Sequence, residues 1–115
     1  MIDFDGDTAF AHHTLDALGK RAKAVLHNIA NQSVPGFKRY TVRFEDMLRE
    51  TVDAGGDERR VTAKVERDTS GPDGENNVVL MNEMALLGKT QILQDLMTRR
   101  AGGYFSFVNK AIFGR

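Results

Sequence analysis

The stretch Asn28-Ile29-Ala30-Asn31-Gln32-Ser33-Val34-Pro35-Gly36-Phe37-Lys38 divides this 115-residue chain into a helical part and a mixed part. Asparagine-rich residues are common where a helix ends, and proline pushes the residue before it, here Val34, into an extended conformation. Pro35-Gly36 predicts a turn, because both residues favour turn conformations. We therefore expect a helix to end near residue 31 and the chain to change direction before residue 38.

Apolar residues before this stretch recur every three or four positions. This 3.5-residue period is typical of a helix that packs along another helix. The members of the stripe are Ala11, Leu15, Leu18, Ala22, Val25 and Ile29. They predict a helix from about residue 8 to residue 31, with Thr8 capping its start and Asn28 to Asn31 closing its end.

The segment after the turn predicts smaller elements. Tyr40 to Phe44 alternates as a short strand does, and Glu45 to Thr51 is typical of a short helical turn. Val61 to Val65 predicts another short strand within an otherwise polar region that contains several glycines.

A second long helix is predicted from about Val78 to Ile112. Gly102-Gly103 interrupts it at a cost of about 1 kcal/mol per glycine relative to alanine, and we expect a break there. A close approach between helices is the other explanation of the glycine pair. The apolar stripe of this helix consists of Leu86, Thr90, Leu93, Met97, Ala101, Tyr104, Val108 and Ala111, and we expect Met81, Met84, Ile92 and Leu96 to widen it.

The predicted fold class is mainly α, with long N- and C-terminal helices that pair as a coiled-coil-like hairpin and a short extended or β and loop segment between them. We divide the chain into residues 1–31 with frayed first residues, residues 32–77 and residues 78–115, all within one structural domain. Two such helices leave apolar surface uncovered in a monomer. Other copies or another protein are therefore expected to cover it.

Composition excludes several function classes. Sixteen basic and sixteen acidic residues cancel, which argues against a nucleic-acid binder. The scattered charges argue against a membrane span, and the absence of cysteine excludes a disulfide, a thiolate nucleophile and a cysteine zinc site. Residues 1–7 are acidic and lack the apolar run of a signal peptide. A cytoplasmic protein and one exported without signal cleavage both remain open.

The candidate chemical sites are weak. His12 and His13 would point about 100° apart on a helix, and His27 lies about four turns away, so we predict no metal site. Motifs for phosphate binding and for nucleophilic catalysis are absent from the sequence, and Glu66 and Asp68 are expected to be solvated charges. We expect no enzyme activity, no cofactor and no small-molecule substrate.

Two motifs resemble those of one family, the bacterial flagellar rod and hook proteins. The first motif consists of Asn28, Ala30, Asn31, Pro35, Gly36, Phe37 and Lys38. The second resembles the proximal rod members in particular and consists of Asp73, Gly74, Asn76, Asn77 and Val78, followed by Glu83 and Met84. Residues 105–112 are also similar to the C-terminus of that family. Glu75 is an extra residue in the second motif, and Val34 stands where threonine is common.

The resemblance implies a structural subunit of the proximal rod of the flagellar basal body. Such a subunit would be exported by the flagellar type III apparatus without signal cleavage and would polymerise helically through its terminal helices. It would form part of the torque-transmitting drive shaft and of the export channel. Its implied partners are copies of itself, other rod proteins and basal-body components at the export gate and membrane ring. The alternative that the residues leave open is a cytoplasmic helical adaptor or regulator, which would bind a partner through its heptad face.

Overall fold

The structure is a computed structural model that describes the backbone of residues 4–113 and the side chains of residues 8–99. The chain is mainly helical, as the sequence predicts, and contains a small antiparallel sheet of two strands. Its elements, in chain order, are α1 (Phe4–Ala30), β1 (Tyr40–Arg43), α2 (Glu45–Asp53), a short 3-10 helix (Glu58–Arg60), β2 (Lys64–Arg67) and α3 (Leu80–Phe113).

Helix α1 lies at the centre of the fold. The sheet and the 3-10 helix pack against one side of it, and α3 packs against another. Ala17 and Ala24 join the core cluster that α1 forms with the sheet side. Leu18 and Val25 are each one position further along the helix and are also buried. Both residues fall outside that cluster, and α3 is the other long element that packs against α1.

The sheet side of the core is built mainly from small and β-branched residues. Strands β1 and β2 pair with Tyr40 opposite Arg67 and Val42 opposite Val65. Val42, Phe44, Val61 and Ala63 complete the buried cluster, with Tyr40, Met47 and Leu48 packed against it. Such a core is small, as expected for a chain of this length.

Helix α3 has 34 residues, which corresponds to about 51 Å at 1.5 Å per residue. The molecule is accordingly long and thin, with extents of 59 × 32 × 14 Å. Among the described residues, no helix combines the length and the apolar character needed to cross a membrane.

The ends of α1 differ from the prediction. The helix begins at Phe4, so Thr8 lies inside it and does not cap it. Asn28 also lies inside the helix and is fully buried. Its side chain does not close the helix, because it bonds the backbone of Tyr40 in β1. Asn31 does close it, since its Nδ2 donates to the carbonyl oxygen of His27 at 2.7 Å.

Two further predictions need correction. Strand β2 begins at Lys64 and not at Val61, because the 3-10 helix precedes Val61 and the pairing with β1 starts only at Lys64. The expected break at Gly102-Gly103 is wrong, since α3 continues through both glycines. A penalty of about 1 kcal/mol per glycine lowers helix stability but removes no backbone hydrogen bond, so a long helix can contain the pair.

Candidate functional site

The two sequence motifs meet where α1 ends and α3 begins. Asn76 joins them, because its Nδ2 donates to the carbonyl oxygens of Asn31 at 2.9 Å and Val34 at 2.8 Å. The backbone N–H of Asn77 donates to the carbonyl oxygen of Phe37 at 3.3 Å. Hydrogen bonds thereby join residues that are more than 40 positions apart in the chain. We call the side chains around this junction the polar clasp, which consists of Asn28, Arg39, Asp68, Asn76, Asn77 and Glu83.

Asn28 attaches β1 to α1 in the way that a strand partner would. Its Oδ1 accepts from the backbone N–H of Tyr40 at 2.7 Å, and its Nδ2 donates to the carbonyl oxygen of Tyr40 at 2.9 Å. A primary amide carries both a donor and an acceptor, so one side chain satisfies both backbone groups of Tyr40. The same Nδ2 lies 3.3 Å from Oε2 of Glu83 and so also contacts α3.

Glu83 is a carboxylate with only 1% of its surface exposed. Arg39 compensates it, because its Nε donates to Oε1 of Glu83 at 2.5 Å. Asp68 lies on the other side of the guanidinium, 3.2 Å from its Nη1. A buried charge is tolerated when it is paired and hydrogen-bonded, and this one is.

The pKa values of two clasp residues shift in the direction that favours the charged forms. Burial lowers the pKa of Arg39, but hydrogen bonds and charge attraction from Glu83 and Asp68 outweigh it, so the pKa of Arg39 is raised. The pKa of Asp68 is lowered from its ordinary 3.8, chiefly by hydrogen bonds from Ser70 and then by Arg39. The ion pair between Arg39 and Asp68 therefore stays formed at neutral pH.

Asn77 connects the start of α3 to the sheet. Its Oδ1 accepts from the backbone N–H of Arg39 at 2.7 Å, and its Nδ2 donates to the carbonyl oxygen of Asp68 at 2.6 Å. Arg39 and Asp68 are themselves joined by a backbone hydrogen bond of 2.8 Å just beyond the paired strands. The segment that leads into α3 is thus fixed to the end of the hairpin.

Both motifs contain a glycine with a left-handed backbone. Gly36 has a φ of 74° and Gly74 a φ of 79°, a region that L side chains rarely adopt. The two turns face each other, since a Cβ on Gly36 would lie 3.5 Å from the carbonyl oxygen of Gly74. The extra residue Glu75 is exposed, and its N–H closes the turn onto the carbonyl oxygen of Pro72.

The remaining motif residues lie at the rim of the clasp. Lys38 reaches across to the second turn, where its Nζ donates to the carbonyl oxygen of Pro72 at 2.8 Å. Phe37 is half-buried beside the rings of His27 and Tyr40. Ala30, Pro35, Asp73 and Met84 are exposed, and Val78 is half-buried.

The predicted seam residues lie along α1 and α3. Leu18 and Val25 are buried, and Thr90 and Glu83 are buried in the same stripe of α3. Ala11, Leu15, Ala22, Ile29, Leu86, Leu93 and Met97 are half-buried. Tyr104 and Val108 lie outside the residues whose side chains the structure describes.

Sequence reasoning missed the charged part of the clasp. Asp68 was expected to be a solvated charge, but it pairs with Arg39, which received no role. One signal was present: Glu83 continues the three- and four-residue spacing of Leu86, Thr90, Leu93 and Met97. An acidic residue at such a position must be paired if the stripe is buried.

The histidines take part in ring contacts. The rings of His12 and His13 have centroids 6.3 Å apart, and His27 packs edge-on against Tyr40 at 5.2 Å. Within the described side chains, no group of three or more His, Cys, Asp or Glu residues is placed to hold a metal ion. The clasp is a structural site whose groups satisfy one another.

No protein-family model matches the chain. A curated relative, the flagellar basal body rod protein FlgB of Borreliella burgdorferi, is 26% identical over 131 aligned positions. The match covers 95% of this chain and 97% of that protein. Similarity to a rod protein over the whole length agrees with a structural, non-enzymatic role. The chain is therefore similar over nearly its whole length to a flagellar basal-body rod protein, FlgB.

Proposed function

We propose that this chain is a subunit of the proximal rod of the flagellar basal body. In this proposal α1 and α3 pair as a coiled-coil-like hairpin, and the subunits polymerise helically through them. The polymer forms part of the torque-transmitting drive shaft and of the export channel. The observation that carries the proposal, beyond the family, is a long apolar face of α3 that nothing in the described chain covers.

Four large side chains that were expected to widen the buried stripe of α3 are instead exposed on another side of the helix. Met81, Met84, Ile92 and Leu96 are exposed to 75%, 55%, 63% and 55%. Their spacing of three, eight and four residues keeps them on one side of a helix. Several large apolar side chains exposed on one side of a helix are typical of an interaction surface. We call it the outer face of α3.

The seam on the other side of α3 supports the hairpin. Glu83, Leu86, Thr90, Leu93 and Met97 repeat every three or four residues and are buried or half-buried. The matching stripe of α1, with Leu18 and Val25 at its centre, has the same period. Two stripes with a period near 3.5 residues suit a coiled-coil-like pairing.

The proposed partners are further copies of this chain, other rod proteins, and basal-body components at the export gate and membrane ring. Delivery by the flagellar type III apparatus without signal cleavage agrees with two properties of the chain. It has no cysteine, so no disulfide would oppose unfolding. Its core of small residues gives a modest stability, which suits a chain that must pass through a narrow channel.

The test is a deletion of the gene in a flagellated host, scored for motility and for rods and filaments by electron microscopy. We expect a non-motile strain without rods that the wild-type gene restores. Leu18→Asp and Val25→Asp should fail to restore it, because each places a charge in a buried seam. Leu26→Asp is the matched control, since Leu26 is on the same helix but 56% exposed.

The turn motif has its own test. Pro35→Ala and Gly36→Val should impair incorporation into the rod more than export, because they alter the turn that positions the middle segment. If these variants never leave the cytoplasm, the motif serves export instead. Motile cells with normal flagella after the deletion, in a genome without a second copy, would leave the helical adaptor as the function.

A further inference from the structure

One arginine among residues 8–99 differs from the others in that range. Among residues 8–99, each of the other arginines pairs with a carboxylate, but Arg67 has none. Its guanidinium lies 3.8 Å from the centroid of the Tyr40 ring and 5.2 Å from that of Phe37. It donates to the carbonyl oxygen of Lys38 and to the Tyr40 hydroxyl. These contacts hold the group in place without neutralising its charge.

A groove lies beside this arginine, between α1 and β2. Its volume is about 330 Å³, and its lining residues are Lys20, Lys23, Ala24, His27, Tyr40 and Val65. Tyr40 thus contacts both Arg67 and the groove. Val65, Tyr40 and Ala24 give the groove an apolar floor, while Lys20 and Lys23 supply positive charge. We call the groove together with Arg67 the basic groove.

Few carboxylates of the described residues balance those charges. Lys20 pairs with Asp16 at 3.1 Å, but Lys23 makes no ion pair with any residue of the described part. On β2, Lys64 and Glu66 point to the other face and pair with each other at 3.6 Å. The basic groove therefore combines two cations that lack a carboxylate with an apolar floor, which fits an acidic segment with a large apolar side chain.

The sequence contains one stretch with this chemistry. Residues 2–7 read Ile-Asp-Phe-Asp-Gly-Asp, with three carboxylates around a phenylalanine, and no lysine or arginine occurs before Lys20. Elsewhere, Glu45 and Asp57 already pair with arginines, and the acidic residues 73–75 include no large apolar residue. Charge and apolar content therefore single out residues 2–7.

The same chain cannot place this stretch in its own groove. Helix α1 begins at Phe4 and reaches Lys20 about 24 Å further along at 1.5 Å per residue. A continuous helix cannot fold back on itself, so the stretch must come from another copy. Such a contact joins two different surfaces, so its repetition builds a ring if the rotation closes and an open helical chain of subunits if it does not.

We propose that the basic groove of one copy binds the acidic N-terminal stretch, residues 2–7, of a second copy. The carboxylates lie against Lys23 and Arg67, and Phe4 or Ile2 covers the apolar floor. This inference rests on the proposed function, because it requires that copies of the chain assemble. It adds the contact that sets the axial offset between them.

Disulfide trapping tests the contact, and the chain offers a clean background because it has no cysteine. One copy carries Gly6→Cys, which keeps all three carboxylates, and the other carries Val65→Cys. At low salt we expect this pair to form a mixed disulfide about tenfold faster than Gly6→Cys with Val52→Cys, which corresponds to about 1.4 kcal/mol. Val52 is the matched control, since it is 55% exposed on α2 and Val65 is 46% exposed.

Charge reversal shows whether electrostatics guide the contact. Arg67→Glu or Lys23→Glu in the Val65→Cys copy should reduce trapping to the control rate. Asp3→Lys with Asp7→Lys in the other copy should restore it against Arg67→Glu. Lys89→Glu, the same charge change at an exposed position of α3, should have no effect. Raising the salt to about 0.5 M should also weaken trapping, because screening shortens the range of these interactions.

Two outcomes overturn the proposal. The first is that Gly6→Cys forms a disulfide equally fast with Val65→Cys and with Val52→Cys. The second is that Asp3→Lys with Asp7→Lys fails to restore trapping against Arg67→Glu. Circular dichroism of each variant shows whether it is folded, and Lys23→Glu is the variant of choice if Arg67→Glu unfolds. If trapping fails but the deletion strain still lacks rods, only the proposed contact at the basic groove is refuted. Normal rods in the deletion strain remove the proposed function itself.

Discussion

The polar clasp and the outer face of α3 share one helix but use opposite chemistry. In the clasp, Glu83 is 1% exposed and is bonded by both Arg39 and Asn28. On the outer face, Met84 follows Glu83 directly in the sequence, yet 55% of its surface is exposed. Within one copy, the side chains of the clasp bond one another, whereas the apolar side chains of the outer face stay exposed.

The difference shows two ways of using side chains at the start of α3. Buried polar groups accept only a partner with matching geometry, so the clasp fixes how α3 joins α1 and the sheet. Apolar groups accept any complementary surface, so the outer face can pack against different neighbours. Changes in the two regions should therefore alter the free energy of unfolding of the isolated chain very differently, from the largest effect in the clasp to the smallest on the outer face.

Removing the buried carboxylate should have the largest effect. Glu83→Ala leaves Arg39 with Asp68 alone and Asn28 with one fewer acceptor, which should lower the free energy of unfolding by about 3 kcal/mol. Glu50→Ala is the control, because Glu50 pairs with Arg43 but its side chain is 67% exposed. That change should cost less than about 1 kcal/mol. Urea unfolding followed by circular dichroism measures both, and equal losses would contradict the role of the clasp.

The turn glycine should come second. Gly36→Val forces a β-branched residue into a φ of 74° and should lower the free energy of unfolding by about 2 kcal/mol. Gly19→Ala is the opposite case, since Gly19 lies inside α1 and an added Cβ meets nothing within 4 Å. That change should raise stability by about 0.5–1 kcal/mol. Thermal unfolding of both variants shows whether each change lowers or raises stability. A higher stability of Gly36→Val would contradict the left-handed backbone at Gly36.

Acid should weaken a surface ion pair by a smaller amount. Hydrogen bonds from Arg21 hold the pKa of Glu45 below its ordinary 4.5. A lowered pKa adds stability that is present above pH 4.5 and is lost as the pH falls through the folded value. Because the Glu45 side chain is 61% exposed, Glu45→Gln should cost about 0.5–1 kcal/mol at neutral pH.

Urea unfolding of wild type and Glu45→Gln at a series of pH values tests that prediction. The gap between wild type and Glu45→Gln in the urea midpoint should shrink as the pH falls below 4.5. Asp53→Asn is the control, since Asp53 is exposed on α2 without an ion pair among the described residues. A gap that stays constant with pH would show that the pair adds nothing through ionisation.

Charges on the outer face should change stability least. Ile92→Asp with Leu96→Asp should alter the free energy of unfolding by about 0.5 kcal/mol or less, because both side chains are already exposed. The same variant should fail to enter basal bodies when it replaces the wild-type gene. Gln91→Asp, an exposed neighbour, is the control. Normal incorporation of the double variant would show that the outer face is not an assembly surface.

The sequence predicted the elements well where the pattern is local. The 3.5-residue stripes indicated both long helices, and Tyr40 to Phe44 located β1 to within one residue. Local patterns failed where a neighbour decided the outcome. Thr8 and Asn28 both suit helix caps, but Thr8 lies inside α1 and the Asn28 side chain bonds Tyr40 across the fold.

The sequence by itself determined the helical stripes, the two glycine turns and the resemblance between its motifs and those of rod proteins. Each depends on residues close in the chain, whose conformational preferences and spacing can be seen without a fold. Only the tertiary structure decided that the motifs meet, that Arg39 pairs with both Glu83 and Asp68, and that Arg67 lacks a carboxylate among the described side chains. The contacts of the clasp join residues 29, 45 and 55 positions apart. Such pairings follow from how the elements pack, and no local preference specifies them.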